Sequence, residues 1–260
     1  MTGSTGRFSV TAFFLRLFAV ICMVLDHIGF CLPKASFSPI FRIIGRMAFP
    51  IFMFLIVNGL RYTRSKPRYA LRLAIFTVIS QVPFSLMTKR VVWRENWNVF
   101  FTLLVALLCV WWASEFWKKG GWYRVLAFLP TVLFCAGYYF ELFNSDYDMR
   151  GILLALVFFF FEGKRVLTVL GTFVSLFAPT LLGYCYQILN LLRGKEAVFK
   201  LPSTWIMKEM FALLALIPIF LYCGEKGFAP KNKIAAKALQ IGFYAFYPVH
   251  MLLLWLLFRR

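Results

Sequence analysis

Charge is scarce in this chain, and one sign of it is scarcer still. Only 15% of its 260 residues are charged, with 10 acidic against 29 basic. A soluble domain carries about 25% charge, so an ordinary water-soluble fold is excluded. Histidine occurs only twice, as His27 and His250. The six cysteines (Cys22, Cys31, Cys109, Cys135, Cys185, Cys223) form no CxxC pair and lie mostly within apolar stretches. That argues against a disulfide framework and supplies no zinc spacing, so we expect free thiols packed as small hydrophobes and no metal. Repeats, low-complexity tracts and linkers are also missing, and residues 1–260 read as one integral membrane domain.

Apolar residues take up the space. They make up 62% of the chain, aromatics alone 20%, and mean hydropathy is +0.77. They fall in blocks near 8–32, 40–60, 69–88, 98–114, 122–141, 149–161, 166–190, 206–223 and 239–258. A spanning helix needs about 20 apolar residues, because the bilayer offers no water to satisfy backbone amides. The pattern predicts an all-α polytopic transmembrane bundle of about nine spans, within a range of eight to ten. The 149–161 block is short, a candidate re-entrant segment. Pro179 and Gly183 make 166–190 a candidate break. The first block is longer than a signal-peptide core, has no A-x-A site and contains Arg16, Asp26 and His27, so it is expected to be a retained helix.

The net charge of +19 is confined to short clusters between blocks, the pattern of topology signals rather than of a nucleic-acid surface. The turn Arg61–Arg68 is the densest, and Lys118/Lys119/Arg124, Lys164/Arg165 and Lys226/Lys231/Lys233/Lys237 occupy alternate connections after it. Asp146 and Asp148 make one intervening connection acidic. With the basic side cytoplasmic, the N-terminus is expected inside a bacterial cytoplasmic membrane and the C-terminus outside, although Arg259 and Arg260 weigh the other way.

Ionisable groups inside spans cost about 2.5–3.5 kcal/mol on insertion scales and call for partners or a polar cavity. Arg16 and His27 share a stripe of the first helix with Val20 and Met23 between them, whereas adjacent Asp26 and His27 diverge by about 100°. Asp26 therefore needs a cation, for which Arg46 is the candidate, with Arg42 one turn before it. His27, Arg46 and His250 fall at similar depth in the outer half, so one cluster of Asp26, His27, Arg46 and His250 is geometrically allowed. The plainer readings are a packing role for a lone histidine and snorkelling for Arg16 and Arg42. For Gln81 and Asn98 the default is interhelical hydrogen bonding.

Together these residues resemble a family. Cys22-Met23-Val24-Leu25-Asp26-His27 is similar to the LMVLDH signature of the TraX family, membrane proteins of conjugal transfer systems that acetylate pilin. Gly45-Arg46-Met47-Ala48-Phe49-Pro50-Ile51-Phe52 resembles its GR-x-AFP-[LI]-F segment. Weaker matches follow in the same order: Arg16, Gln81, Asn98-Val99-Phe100-Phe101, Tyr147 to Gly151, and Phe246-Tyr247-Pro248-Val249-His250 against FY-x-x-H. Many members have acids where this chain has Asn58, and near Gln81 and Ser85, so roles for those acids do not carry over.

The resemblance implies membrane acyl transfer, with acetyl-CoA as co-substrate. The acceptor would be an amine or hydroxyl on a pilin-like protein N-terminus or an envelope glycan. His27 would act as base or transient acyl carrier, Asp26 would orient it or pair with Arg46, and Arg46 would meet the oxyanion or a phosphate. Arg16 and Arg42 would bind the cofactor, His250 would be a second acid/base or a ligand for the acceptor, and Gln81, Asn98 and Tyr247 would be supporting polar groups. The competing class is a proton-coupled transporter using the same cluster as a relay, although the matching halves common in transporters are not evident. A scaffold protein would leave the buried charges without a reason.

Overall fold

The computed structural model describes residues 9–89, 96–194 and 209–258. Its regular elements are helices, with two isolated backbone bridges, Val10 to Tyr222 and Trp97 to Ser145. In order they are α1 (Ala12–Cys31), α2 (Ser38–Gly45), α3 (Ala48–Tyr62), α4 (Lys66–Thr88), α5 (Val99–Lys119), α6 (Tyr123–Leu126), α7 (Leu129–Tyr139), α8 (Asp148–Phe160) and α9 (Arg165–Leu192). A 3-10 turn (Met210–Ala215), α10 (Leu216–Phe220) and α11 (Lys233–Phe258) complete the set. Arg259 and Arg260, and the start of the 206–223 block, lie outside the described residues.

Local chemistry fixes the boundaries. The Thr11 hydroxyl caps α1 by accepting from the Phe14 amide at 3.4 Å, and the Asn98 side chain caps α5 through Phe100 at 3.0 Å. Pro39 and Pro67 sit in the first turns of α2 and α4, where a missing amide costs nothing. Gly120, at φ 73°, ends α5 in a conformation that side chains disfavour.

Among the described residues, six segments are long and apolar enough to cross a bilayer: α1, α2 with α3 as Ser38–Tyr62, α4, α5, α9 and α11. The other three predicted blocks are helical but short. The 13-residue α8 extends about 20 Å, against about 30 Å of hydrocarbon. The block at 122–141 divides into α6 and α7, and Met210–Phe220 begins as a 3-10 turn. The candidate break at Pro179 and Gly183 is not one, since α9 runs through both.

The segments run back and forth between two ends. At one end Lys66 pairs with Glu115 at 2.5 Å, and Arg61 pairs with Glu162 while donating to the Phe158 and Phe159 carbonyls at 3.3 and 2.8 Å. Arg165 lies over the Phe220 ring there, and Asn58 donates to the Tyr222 hydroxyl at 3.0 Å. The four basic connections thus share an end. At the other, the Ser38 hydroxyl donates to the Gly29 carbonyl at 2.8 Å, and Trp97 bridges to Ser145. Arg16 near the start of α1 lies over Phe243 in the first half of α11, and His27 nearer the end of α1 meets His250 in the second half of α11, so these helices run parallel. α3 packs against α1, α5 and α8 and carries much of the core, including Phe49, Ile51, Met53 and Val57.

Candidate functional site

The site begins where the antiparallel α1 and α2 come closest. Gly45 faces Asp26 so tightly that a methyl group there would fall inside the carboxylate. The chain can therefore present Arg46, one residue on, directly to that acid. Arg46 Nη2 donates to both Asp26 oxygens, at 2.7 and 2.8 Å, and Arg42 Nη1 donates to Oδ2 at 2.6 Å. Arg46 Nη1 donates to Glu209 Oε1 at 2.9 Å. Asp26 is 8% exposed and Glu209 2%. Two carboxylates and two guanidinium groups thus balance formally, as burial demands.

His27 has a different partner. Its Nδ1 lies 2.7 Å from His250 Nε2, and His250 Nδ1 lies 2.8 Å from the Phe246 carbonyl oxygen. The two imidazole planes are within 17°, with centroids 5.0 Å apart. Asp26 is thus placed against Arg42 and Arg46, and of the two arrangements allowed by the sequence the contacts are those of the arginine pairing.

His27, Asp26, Arg42 and Arg46 line a cavity of about 440 Å³ near the end away from the basic connections. Asn96, Asp146, Tyr147 and Tyr247 also line it. Tyr147 stacks on Phe49 with centroids 3.5 Å apart, placing the loop before α8 against the start of α3. A second cavity, of about 110 Å³, is lined by Arg16, Tyr69, Gln240 and Tyr244. Met23, Phe52, Val99 and Tyr247 line both and form the partition between them. The predicted α1 stripe is thus a wall running from Arg16 through Met23 to His27.

The remaining expected residues fall into place differently. Arg42 is held by Asp26 and lies over Phe30, with its side chain 22% exposed at the cavity. Gln81 and Asn98 do not line either cavity. Asn98 Nδ2 donates to Gln81 Oε1 at 2.8 Å and to the Thr77 carbonyl at 2.7 Å, and Gln81 Nε2 donates to the Asn96 carbonyl at 2.8 Å. They fasten the segment before α5 to α4. Tyr247 is buried, and its hydroxyl has no hydrogen bond of normal geometry among the described residues. No group of three or more His, Cys, Asp or Glu side chains that could hold a metal gathers among the described residues.

Glu209, Asp146 and Asn96 belong to the site or its walls; by sequence Glu209 and Asn96 do not stand out, and Asp146 reads only as a topology signal. Glu209 follows Lys208 at the edge of an apolar block, which reads as an exposed pair. Its one distinguishing signal is the long apolar run after it.

The TraX protein family model matches residues 13–258. The chain is also 27% identical over 256 residues to a probable fimbrial assembly protein FimC, serogroup H1, of Dichelobacter nodosus, covering 94% of each. No solved structure matches. The matched span takes in the Asp26-His27 pair, the Gly45-Arg46 approach and the closing Tyr247-to-His250 segment, and this multi-pass helical chain belongs to the TraX family.

Proposed function

We propose that this protein is a membrane-embedded acyltransferase that moves an acetyl group from acetyl-CoA to an amine or hydroxyl. The observation that carries the reading is the His27–His250 pair, with His27 on a polar cavity that adjoins a second one bearing Arg16. A thioester is already activated. Its transfer needs a base for the acceptor's proton, donors for the developing oxyanion, and a place for the CoA phosphates.

Each need has a candidate. His27 takes the proton as the acceptor attacks the thioester carbonyl, the C–S bond breaks, and the departing thiolate receives that proton. Arg42, partly exposed and bound to Asp26 through one nitrogen, has further donors for the oxyanion. Arg46 is less suited to this task, since both its terminal nitrogens already meet carboxylates. It holds Asp26 away from His27 instead. Arg16 would meet a phosphate. It lies about 16 Å along α1 from His27 at 1.5 Å per residue, a distance an extended pantetheine arm can bridge.

With the basic end cytoplasmic, the N-terminus is on the inner side of the bacterial cytoplasmic membrane and transfer occurs in the outer half. The relative's name, a probable fimbrial assembly protein, favours a pilin-like protein N-terminus as acceptor, with an envelope glycan as the other candidate.

Labelled acetyl-CoA supplied to purified protein tests this. Wild type should release CoA and label an acceptor from an envelope extract, and His27→Ala should fall by about 10²–10⁴-fold. Wild type that neither releases CoA nor labels any acceptor would overturn the reading. The adjoining cavities also suit a proton-coupled transporter, for which substrate uptake into proteoliposomes without CoA release would be the deciding result.

A further inference from the structure

The two hydrogen bonds of His250 determine more than its position. A backbone carbonyl can only accept, so the 2.8 Å contact with Phe246 requires the proton on His250 Nδ1. Neutral His250 then has a bare lone pair on Nε2. The 2.7 Å contact with His27 needs one proton between the two nitrogens, and it must come from His27 Nδ1. His27 Nε2 is left unprotonated. The alternative makes His250 an imidazolium donating through both nitrogens. That would bury a third cation beside Arg42 and Arg46, whose Asp26 and Glu209 carboxylates are already shared between them.

We infer that His250 is a positioning residue that holds His27 as its Nδ1–H tautomer, with the Nε2 lone pair as the reacting atom. Only His27 lines the larger cavity; His250 stands behind it. Histidine side chains in water favour the proton on Nε2, so both rings here are held in the minor form. In a Ser-His-Asp triad a carboxylate does this work for the base. Here an imidazole does it, itself oriented by a carbonyl one turn back on α11, and no charge is added at that depth. The tautomers stand on the two hydrogen bonds alone, while the reacting role of Nε2 rests on the acyl-transfer reading. His250 is thus assigned no direct contact with substrate, unlike the second acid/base expected from sequence.

With only two histidines in the chain, protein labelled with ¹⁵N in the histidine rings reports four nitrogens. Nε2 couples to both ring carbon-bound protons and Nδ1 strongly to one, which separates them. At neutral pH both protonated nitrogens should be Nδ1, and an Nε2–H signal from either ring would overturn the assignment. Kinetics test the role. His250→Phe should lower transfer by about 10²–10⁴-fold at unchanged KM for acetyl-CoA. His250→Gln, whose amide oxygen can accept from Nδ1–H, should recover most of that loss. Equal losses in both would overturn positioning. Wild type without transfer would sink the enzyme reading and leave the spectroscopic result standing.

Discussion

Arg46 is fixed by carboxylates from two distant parts of the chain, Asp26 and Glu209. Replacing it with Met, similar in length and uncharged, leaves both acids buried without that partner. A broken buried pair costs about 3–5 kcal/mol, so the unfolding midpoint of Arg46→Met in detergent should fall steeply. Glu209→Gln, which keeps an acceptor, should fall less. Gly45→Ala tests the approach rather than the charge. Its methyl would displace the Asp26 carboxylate, and overpacking costs about 1–3 kcal/mol, read in the same melt. The sequence made half of this cluster legible. Asp26 and His27 diverge on a helix, so Asp26 had to find a cation, and a neighbouring Gly-Arg at matching depth was the economical choice. Glu209 was not legible, because an acid beside a lysine at a block edge looks the same whether it is solvated or buried.

Among the elements, the junction of α4 and α5 depends on a clip of two amides. Asn98 caps α5 and reaches the Thr77 carbonyl and Gln81 on α4. Asn98→Ala removes the cap and the Nδ2 bonds to the Thr77 carbonyl and Gln81, while the backbone amide of residue 98 still donates to Gln81 Oε1, for an expected loss of about 1–2 kcal/mol. Because Asn96 and Val99 line the larger cavity, the same variant should weaken acceptor binding, visible as a raised KM. Element existence was readable almost throughout, since each apolar block contains helix. Length was not. Hydropathy counts residues without regard to backbone, so it ran through the turn after Leu126, where α6 gives way to α7, and merged the 3-10 turn at Met210–Ala215 with α10.

At the scale of the molecule, the grouping of the basic connections at one end gives a sidedness that can be measured. In a cysteine-free background, Lys34→Cys and Lys231→Cys lie at opposite ends on exposed residues. A membrane-impermeant maleimide on intact cells should label Lys34→Cys, and Lys231→Cys only after permeabilisation. The reverse pattern would invert the orientation. The pairing of α1 with α11 also has a consequence for how the protein is made. His27 leaves the ribosome 223 residues before His250, about 10–45 s at 5–20 residues per second. Throughout that interval a freshly inserted first helix must survive without its last neighbour. The order of the contacts suits that delay, since Asp26 finds Arg42 and Arg46 within 16 and 20 residues. An ion whose exposure to lipid would be costly is neutralised almost as it enters, while uncharged imidazole can wait. A stalled or shortened chain could thus lodge safely in the membrane yet stay chemically silent until the final helix arrives.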